Sequence, residues 1–121
     1  MGKFAVVLTA GPDDAGSAVN GFEYALSLAD ADNEVAVFLD GAATKWPGEV
    51  QRRADHPVSE SLDRLEEHGA LAGACAYCAD VFGATEGCED ADVALHGTAG
   101  EEHAPDVGEL VADGYDLLPV S

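Results

Sequence analysis

Residues Leu71 to Gly83 read LAGACAYCADVFG, and they predict the turn around which the fold is organised. A short run of small and apolar residues, as in a buried strand, ends on Cys75, and a helix-compatible segment follows until Gly83 stops it. Cys75 is thereby placed at the carboxyl end of a strand and Cys78 in the first turn of a helix. The unpaired N–H groups and the helix dipole at such a junction favour a thiolate.

The chain before this turn alternates strands and helices. Continuous β-prone runs predict buried strands, apolar residues at spacings of three and four predict an amphipathic helix, and a leading proline with a trailing glycine brackets a second helix. In chain order these elements are a strand at 4–9, a helix at 15–31, a strand at 34–39, a helix at 57–68 and the third strand at 70–74.

The chain after the turn continues the alternation. We predict a helix over 76–82, a weak strand over 92–96, a helix over 105–113 and a last strand over 115–120. In the helix over 105–113, the apolar residues Val107, Leu110 and Val111 are expected to face inward. Strands that alternate with helices predict an α/β fold, specifically a three-layer α/β/α sandwich on a five-stranded, mostly parallel sheet. Residues 1–121 are expected to form one domain.

Two connections are less regular. Residues 41–55 form the least regular part of the chain and contain the only tryptophan, Trp46. Long connections in compact domains often form interfaces, so we expect Trp46 to lie in a contact between subunits of a homo-oligomer. Residues 97–104 are expected to form a mobile loop, with His96 and His103 at its edges.

The charge is extreme for a chain of 121 residues. Twenty-four Asp and Glu stand against five Lys and Arg, a formal net charge of -19, and the acids are spread along the whole chain. This composition is typical of proteins adapted to high salt and predicts an origin in a halophilic archaeon. It argues against nucleic-acid partners, because no basic patch exists to meet phosphates.

The sequence also bears on localisation. No apolar run is long enough to span a membrane, and the opening Met-Gly-Lys leads directly into a strand without the features of a signal peptide. We therefore expect a cytoplasmic protein.

The candidate catalytic residues are Cys75 and Cys78. In parallel sheets, sites form beyond the carboxyl ends of the strands, and both cysteines lie at that edge. Two other interpretations stay open: the pair could form a reversible disulfide, or both thiols could be buried as small apolar groups. Cys88 lies in an acidic run and is expected to have no role.

Metal and cofactor binding receive little support from the sequence. Cys75, Cys78, Cys88 and His96 could supply four zinc ligands, but their spacing matches no zinc finger or ribbon, so we predict no metal. The loop after the first strand lacks GxGxxG and GxxxxGK[ST], so we predict no cofactor. His56 precedes a helix and is expected to cap it.

Three motifs together resemble the DsrE/DsrF-like sulfur-relay family. They are ACxxCAxxFG after the third strand, the opening FxVVLTxGPDD and the ending ELVADGYxLLPV, and the similarity covers nearly the whole chain. The resemblance implies a persulfide on one cysteine, which by position matches Cys75, and the CxxC subgroup of the family adds the cysteine that matches Cys78. It also implies sulfur donor and acceptor proteins as partners, and assembly as dimers, trimers or hexamers.

Two functional hypotheses remain. The first is a sulfur carrier or sulfurtransferase, with Cys75 as the acceptor and Cys78 as a resolving thiol or a modulator. The second is a non-catalytic, small oligomeric ligand-binding or regulatory protein that keeps the same fold.

Overall fold

The computed structural model describes residues 1–121, and its centre is a five-stranded sheet in which all neighbouring strands are parallel. The strands are β1 (Lys3–Leu8), β2 (Glu34–Leu39), β3 (Leu71–Cys75), β4 (Leu95–His96) and β5 (Asp116–Val120), in the spatial order β4-β3-β2-β1-β5. The helices are α1 (Ala15–Asp30), α2 (Trp46–Arg52), α3 (Pro57–Glu67), α4 (Ala76–Val81), α5 (Thr85–Asp90) and α6 (Val107–Ala112). The predicted α/β fold is confirmed.

One face of the sheet carries the main hydrophobic core. Val37 and Leu39 of β2 point to this face and are fully buried. Phe22 and Leu26 of α1 and Leu65 of α3 pack in the same core, each with no exposed surface. The apolar stripe predicted for the helix at 15–31 is therefore confirmed in α1, and α1 and α3 together cover this face of the sheet.

The opposite face is covered more thinly. Phe38 points to this side, where a cleft of about 600 Å³ lies between it and α6. The inward stripe predicted for the last helix is wrong in part, because Val107 and Val111 are 46% and 56% exposed while Leu110 is half-buried. The helix is also shorter than predicted, since the side chain of Asp106 accepts a hydrogen bond from the N–H of Glu109 and caps it there.

The irregular segment predicted over 41–55 is instead mostly helical. Residues 41–45 form a 3-10 helix and α2 follows directly, because Pro47 suits the first turn of a helix. Trp46 is fully buried, so the expected subunit contact at this residue is wrong. Its indole N–H donates to the carbonyl of Ala10 at 2.8 Å, and its ring lies edge-on to Phe22 and His56.

Helix α5 was not predicted, since its acidic sequence shows no apolar period. It is positioned by a close approach to α2: a Cβ on Gly87 would lie 2.9 Å from the Cα of Gly48, so glycine is required for this contact. Cys88 of α5 is fully buried, with its thiol 3.4 Å from the carbonyl of Thr44. Burial and the charge of Glu89 raise its pKa to about 11.

The far edge of the sheet is short. Strand β4 has two residues rather than the predicted five, and the loop after it is organised by hydrogen bonds between Thr98 and Glu102. None of the helices has the length and apolar character needed to cross a bilayer.

Candidate functional site

Cys75 lies where β3 turns into α4, as the sequence predicts. It is the last residue of the strand and the N-cap of the helix, and its sulfur accepts hydrogen bonds from the N–H groups of Cys78 at 3.3 Å and Ala104 at 3.4 Å. The two donors come from different segments of the chain. Only 1% of the residue is exposed, because the loop before Pro105 covers it.

Cys78 lies in the first turn of α4, beside Cys75. Its thiol donates a hydrogen bond to Oδ1 of Asp40 at 3.1 Å. Burial is the largest cause that raises the pKa of Cys78 to about 12, followed by this hydrogen bond, the contact with Cys75 and, least, the negative charge of Asp40. At neutral pH, Cys78 is therefore a protonated thiol and a hydrogen-bond donor.

Asp40 connects three parts of the site. It follows β2 directly and is 9% exposed, and its Oδ1 accepts from the N–H of Gly41 at 2.9 Å as well as from Cys78. The same oxygen accepts from Nε2 of His103 at 2.9 Å. His103 reaches the site from the loop after β4, with about half of its side chain exposed. The carboxylate thus ties the helix carrying the cysteines to that loop.

The site therefore combines four residues from three segments. Asp40, Cys75, Cys78 and His103 each contribute one polar atom, and these atoms all lie within 4.8 Å of one another. Cys88 and His96, the other two residues considered as zinc ligands from the sequence, do not belong to this cluster. Cys88 is buried in α5, and Nε2 of His96 lies 2.8 Å from the carbonyl of Ala72. The four-ligand set built from sequence spacing is thus not assembled.

Sequence reasoning did not single out Asp40 or His103. A usable signal existed, because both lie in segments that leave the carboxyl ends of strands next to β3. What the sequence does not show is that the loop after β4 folds back over the end of β3, which brings His103 to Asp40.

The role of Asp40 can be tested by thiol reactivity. Asp40→Asn removes the negative charge that opposes ionisation of Cys78, so its pKa should fall and its alkylation near neutral pH should accelerate, by about tenfold per pKa unit. The measurement is the iodoacetamide rate of each cysteine against pH, by mass spectrometry in the presence of a chelator. Asp80→Asn is the matched control, since it removes an exposed charge from α4 that makes no hydrogen bond to Cys78. Equal rates in the two variants would contradict the assignment.

The sheet, its strand order and a thiol pair at the end of the third strand define an α/β protein with a cysteine site at the sheet edge. The chain belongs to the DsrE/DsrF-like family, whose family model matches residues 2–118. No curated protein matches it in sequence. A solved structure of a conserved protein of unknown function from Bacteroides thetaiotaomicron has the same fold, with a TM-score of 0.66 and 17% identity, over 95% of this chain and 93% of the other.

Proposed function

We propose that the protein is a sulfur carrier or sulfurtransferase that holds a persulfide on Cys75. The observation that carries the proposal is the position of this sulfur at the start of a helix. It accepts hydrogen bonds from the N–H groups of Cys78 and Ala104. Hydrogen-bond donors of this kind stabilise negative charge on a thiolate or persulfide. Membership of the DsrE/DsrF-like family supports the same assignment.

Loading is a simple exchange of sulfur. The Cys75 thiolate attacks the outer sulfur of a donor persulfide, the new S–S bond forms as the bond within the donor breaks, and the donor leaves as a thiolate. No net oxidation occurs. Ala74 and Ala76 flank Cys75 in the chain, and Ala104 contacts its sulfur, so the side chains next to this sulfur are small.

Cys78 would modulate the persulfide rather than attack it quickly. Because its pKa is raised to about 12, only a small fraction is thiolate at neutral pH, and attack on the Cys75 persulfide would be slow. Such an attack would form the Cys75–Cys78 disulfide and release hydrosulfide. Because this attack is slow, the persulfide on Cys75 persists until an acceptor arrives.

Transfer to another protein requires access to Cys75. The loop over 97–104 would have to move away from the sulfur, since Ala104 covers it. Helix α4 exposes Tyr77 and Val81, and its C-cap residue Phe82 is also exposed. This apolar surface suits contact with sulfur donor and acceptor proteins. We propose that the exchange takes place in the cytoplasm.

We also propose that the protein assembles as a homo-oligomer, with a different contact from the one expected at Trp46. The exposed apolar residues Val107, Val111 and Leu117 lie on α6 and the edge strand β5, where the sheet is thinly covered. A second copy could cover this surface.

A second candidate is a non-catalytic ligand-binding or regulatory protein of the same fold. The cleft of about 600 Å³ bounded by Phe38, His96 and Leu110 favours it, because that volume suits a small molecule.

The two candidates are separated by intact-mass measurement after incubation of the reduced protein with persulfide and polysulfide donors. A sulfur carrier should gain about 32 Da per chain, and dithiothreitol should remove the added mass. Failure to load with every donor, in protein with free thiols, would favour the ligand-binding protein.

The acidic surface leads to a prediction on salt, and salt dependence would support the proposed halophilic origin. Only Asp30, Asp40 and Glu49 of the 24 acidic residues lie within 4.0 Å of a basic side chain, and for Asp40 this side chain is a histidine, so most of the repulsion is uncompensated. Lowering KCl from about 2 M to about 0.1 M lengthens the screening distance to about 10 Å. We expect the melting temperature to fall by about 5 °C or more. Calorimetry across the series checks this, and a constant melting temperature would contradict it.

A further inference from the structure

The geometry points to a binding site for a thiophilic divalent cation, Zn²⁺ above all, formed by Asp40, Cys75, Cys78 and His103. The four donor atoms lie within 4.8 Å of one another although they come from three segments: the end of β2, the β3–α4 turn and the loop after β4. Two sulfurs, one imidazole nitrogen and one carboxylate oxygen form a donor set that zinc accepts in proteins, whereas Mg²⁺ and Ca²⁺ prefer oxygen ligands.

The spacing of the donors fits tetrahedral coordination after small movements. Zinc bonds of about 2.0 Å to N or O and about 2.3 Å to S place neighbouring ligand atoms about 3.3–3.8 Å apart. Oδ1 of Asp40 already lies 3.1 Å from the sulfur of Cys78 and 2.9 Å from Nε2 of His103. The remaining pairs have to approach by about 1.5 Å at most, given these zinc bond lengths.

Metal binding requires the release of protons and changes the net charge of the site. The thiols of Cys75 and Cys78 each release a proton to solvent, and His103 binds as the neutral tautomer with its proton moved to Nδ1. Asp40 exchanges two hydrogen bonds, from Cys78 and His103, for one bond to the cation. The filled site carries a single negative charge, less than two thiolates and a carboxylate would carry without the metal.

The site also offers an entry path. Cys75 and Asp40 are buried, which shields the inner donors, while about half of the His103 side chain is exposed. A cation could therefore arrive from solvent on the His103 side. Occupancy would tie up both cysteines, so Zn²⁺ and a persulfide on Cys75 should exclude each other.

The test is titration of the reduced, chelator-treated protein with Co²⁺, followed by displacement with Zn²⁺. We expect one Co²⁺ per chain, with thiolate-to-cobalt charge transfer and the visible bands of tetrahedral cobalt, both abolished by Zn²⁺. His103→Ala and Asp40→Asn should each weaken binding about tenfold or more. His103→Ala is the more informative of the two, because its exposed side chain is not needed for packing.

The matched controls are His96→Ala and Cys88→Ala, which remove the two residues suggested by sequence spacing but absent from the cluster. Both should bind Co²⁺ as the wild type does, once circular dichroism shows that they are folded. The inference is overturned if the folded wild type shows no thiolate-to-cobalt band. It is also overturned if both His103→Ala and Asp40→Asn bind with unchanged affinity, or if His96→Ala abolishes binding.

Discussion

Replacing Cys75 with serine is expected to abolish persulfide loading while leaving the fold intact. Serine cannot form the S–S bond. Its hydroxyl oxygen can, however, accept hydrogen bonds from the N–H groups of Cys78 and Ala104 and so cap α4 as the thiol does. We therefore expect the free energy of unfolding to change by less than about 1 kcal/mol. The measurements are intact mass after donor treatment and urea unfolding of the same preparation.

Two further variants separate the roles of the cysteines. Cys78→Ser should still load sulfur but release or reduce it more slowly, because the resolving thiol is gone. Cys88→Ser should load as the wild type does, since Cys88 lies in α5 and faces Thr44. Loading that survives Cys75→Ser and disappears in Cys78→Ser would show that the two roles are reversed.

Trp46→Ala is expected to cost about 3–5 kcal/mol of stability, the range for removing a fully buried aromatic side chain. The loss has two physical causes: a cavity between Phe22 and His56, and a carbonyl of Ala10 left without its indole donor. Urea unfolding measures the change.

The matched control for this variant is Tyr24→Ala. It removes an aromatic side chain of α1 that is 50% exposed, and it should change stability much less. Sedimentation distinguishes a core residue from an interface residue. An unchanged oligomeric state together with a large loss of stability supports burial within one chain, whereas dissociation with little loss of stability would restore the interface interpretation.

The strands and long helices could be predicted because each repeats a clear pattern. The strand predicted at 34–39 matches β2 residue by residue, and Pro57 and Gly69 bracket α3. His56 caps α3 as expected, since its Nδ1 accepts from the N–H of Val58 at 3.1 Å. These features depend on residues close together in the sequence, so local sequence patterns are enough to predict them.

The elements that were missed depend on contacts between distant segments. The sequence over 41–55 shows no regular pattern and predicts an irregular connection, but burial of the Trp46 indole against Ala10 stabilises a helix there. Helix α5 shows no apolar period because one cysteine and one close Gly48–Gly87 approach hold it in place. Short elements of this kind are determined by packing, which sequence spacing does not reveal.

The candidate site divides in the same way. Cys75 and Cys78 could be placed from the strand-to-helix pattern alone, and the structure brings the two cysteines together as predicted. Asp40 and His103 are 63 positions apart and meet only through the fold of the loop after β4. The raised pKa of Cys78 follows from burial and from its hydrogen bond to Asp40, which lies 38 positions away in the chain, so the spacing of the two cysteines does not reveal it.

The most direct test of the sulfur-carrier proposal is to locate the added sulfur on the loaded wild-type protein. All three cysteines fall in the tryptic peptide 65–121, because no Lys or Arg follows Arg64, so fragmentation of this peptide has to assign the position. We predict an addition of about 32 Da on Cys75, with Cys78 and Cys88 unmodified. An addition confined to Cys78 or Cys88, or no addition with any persulfide donor, would contradict the account.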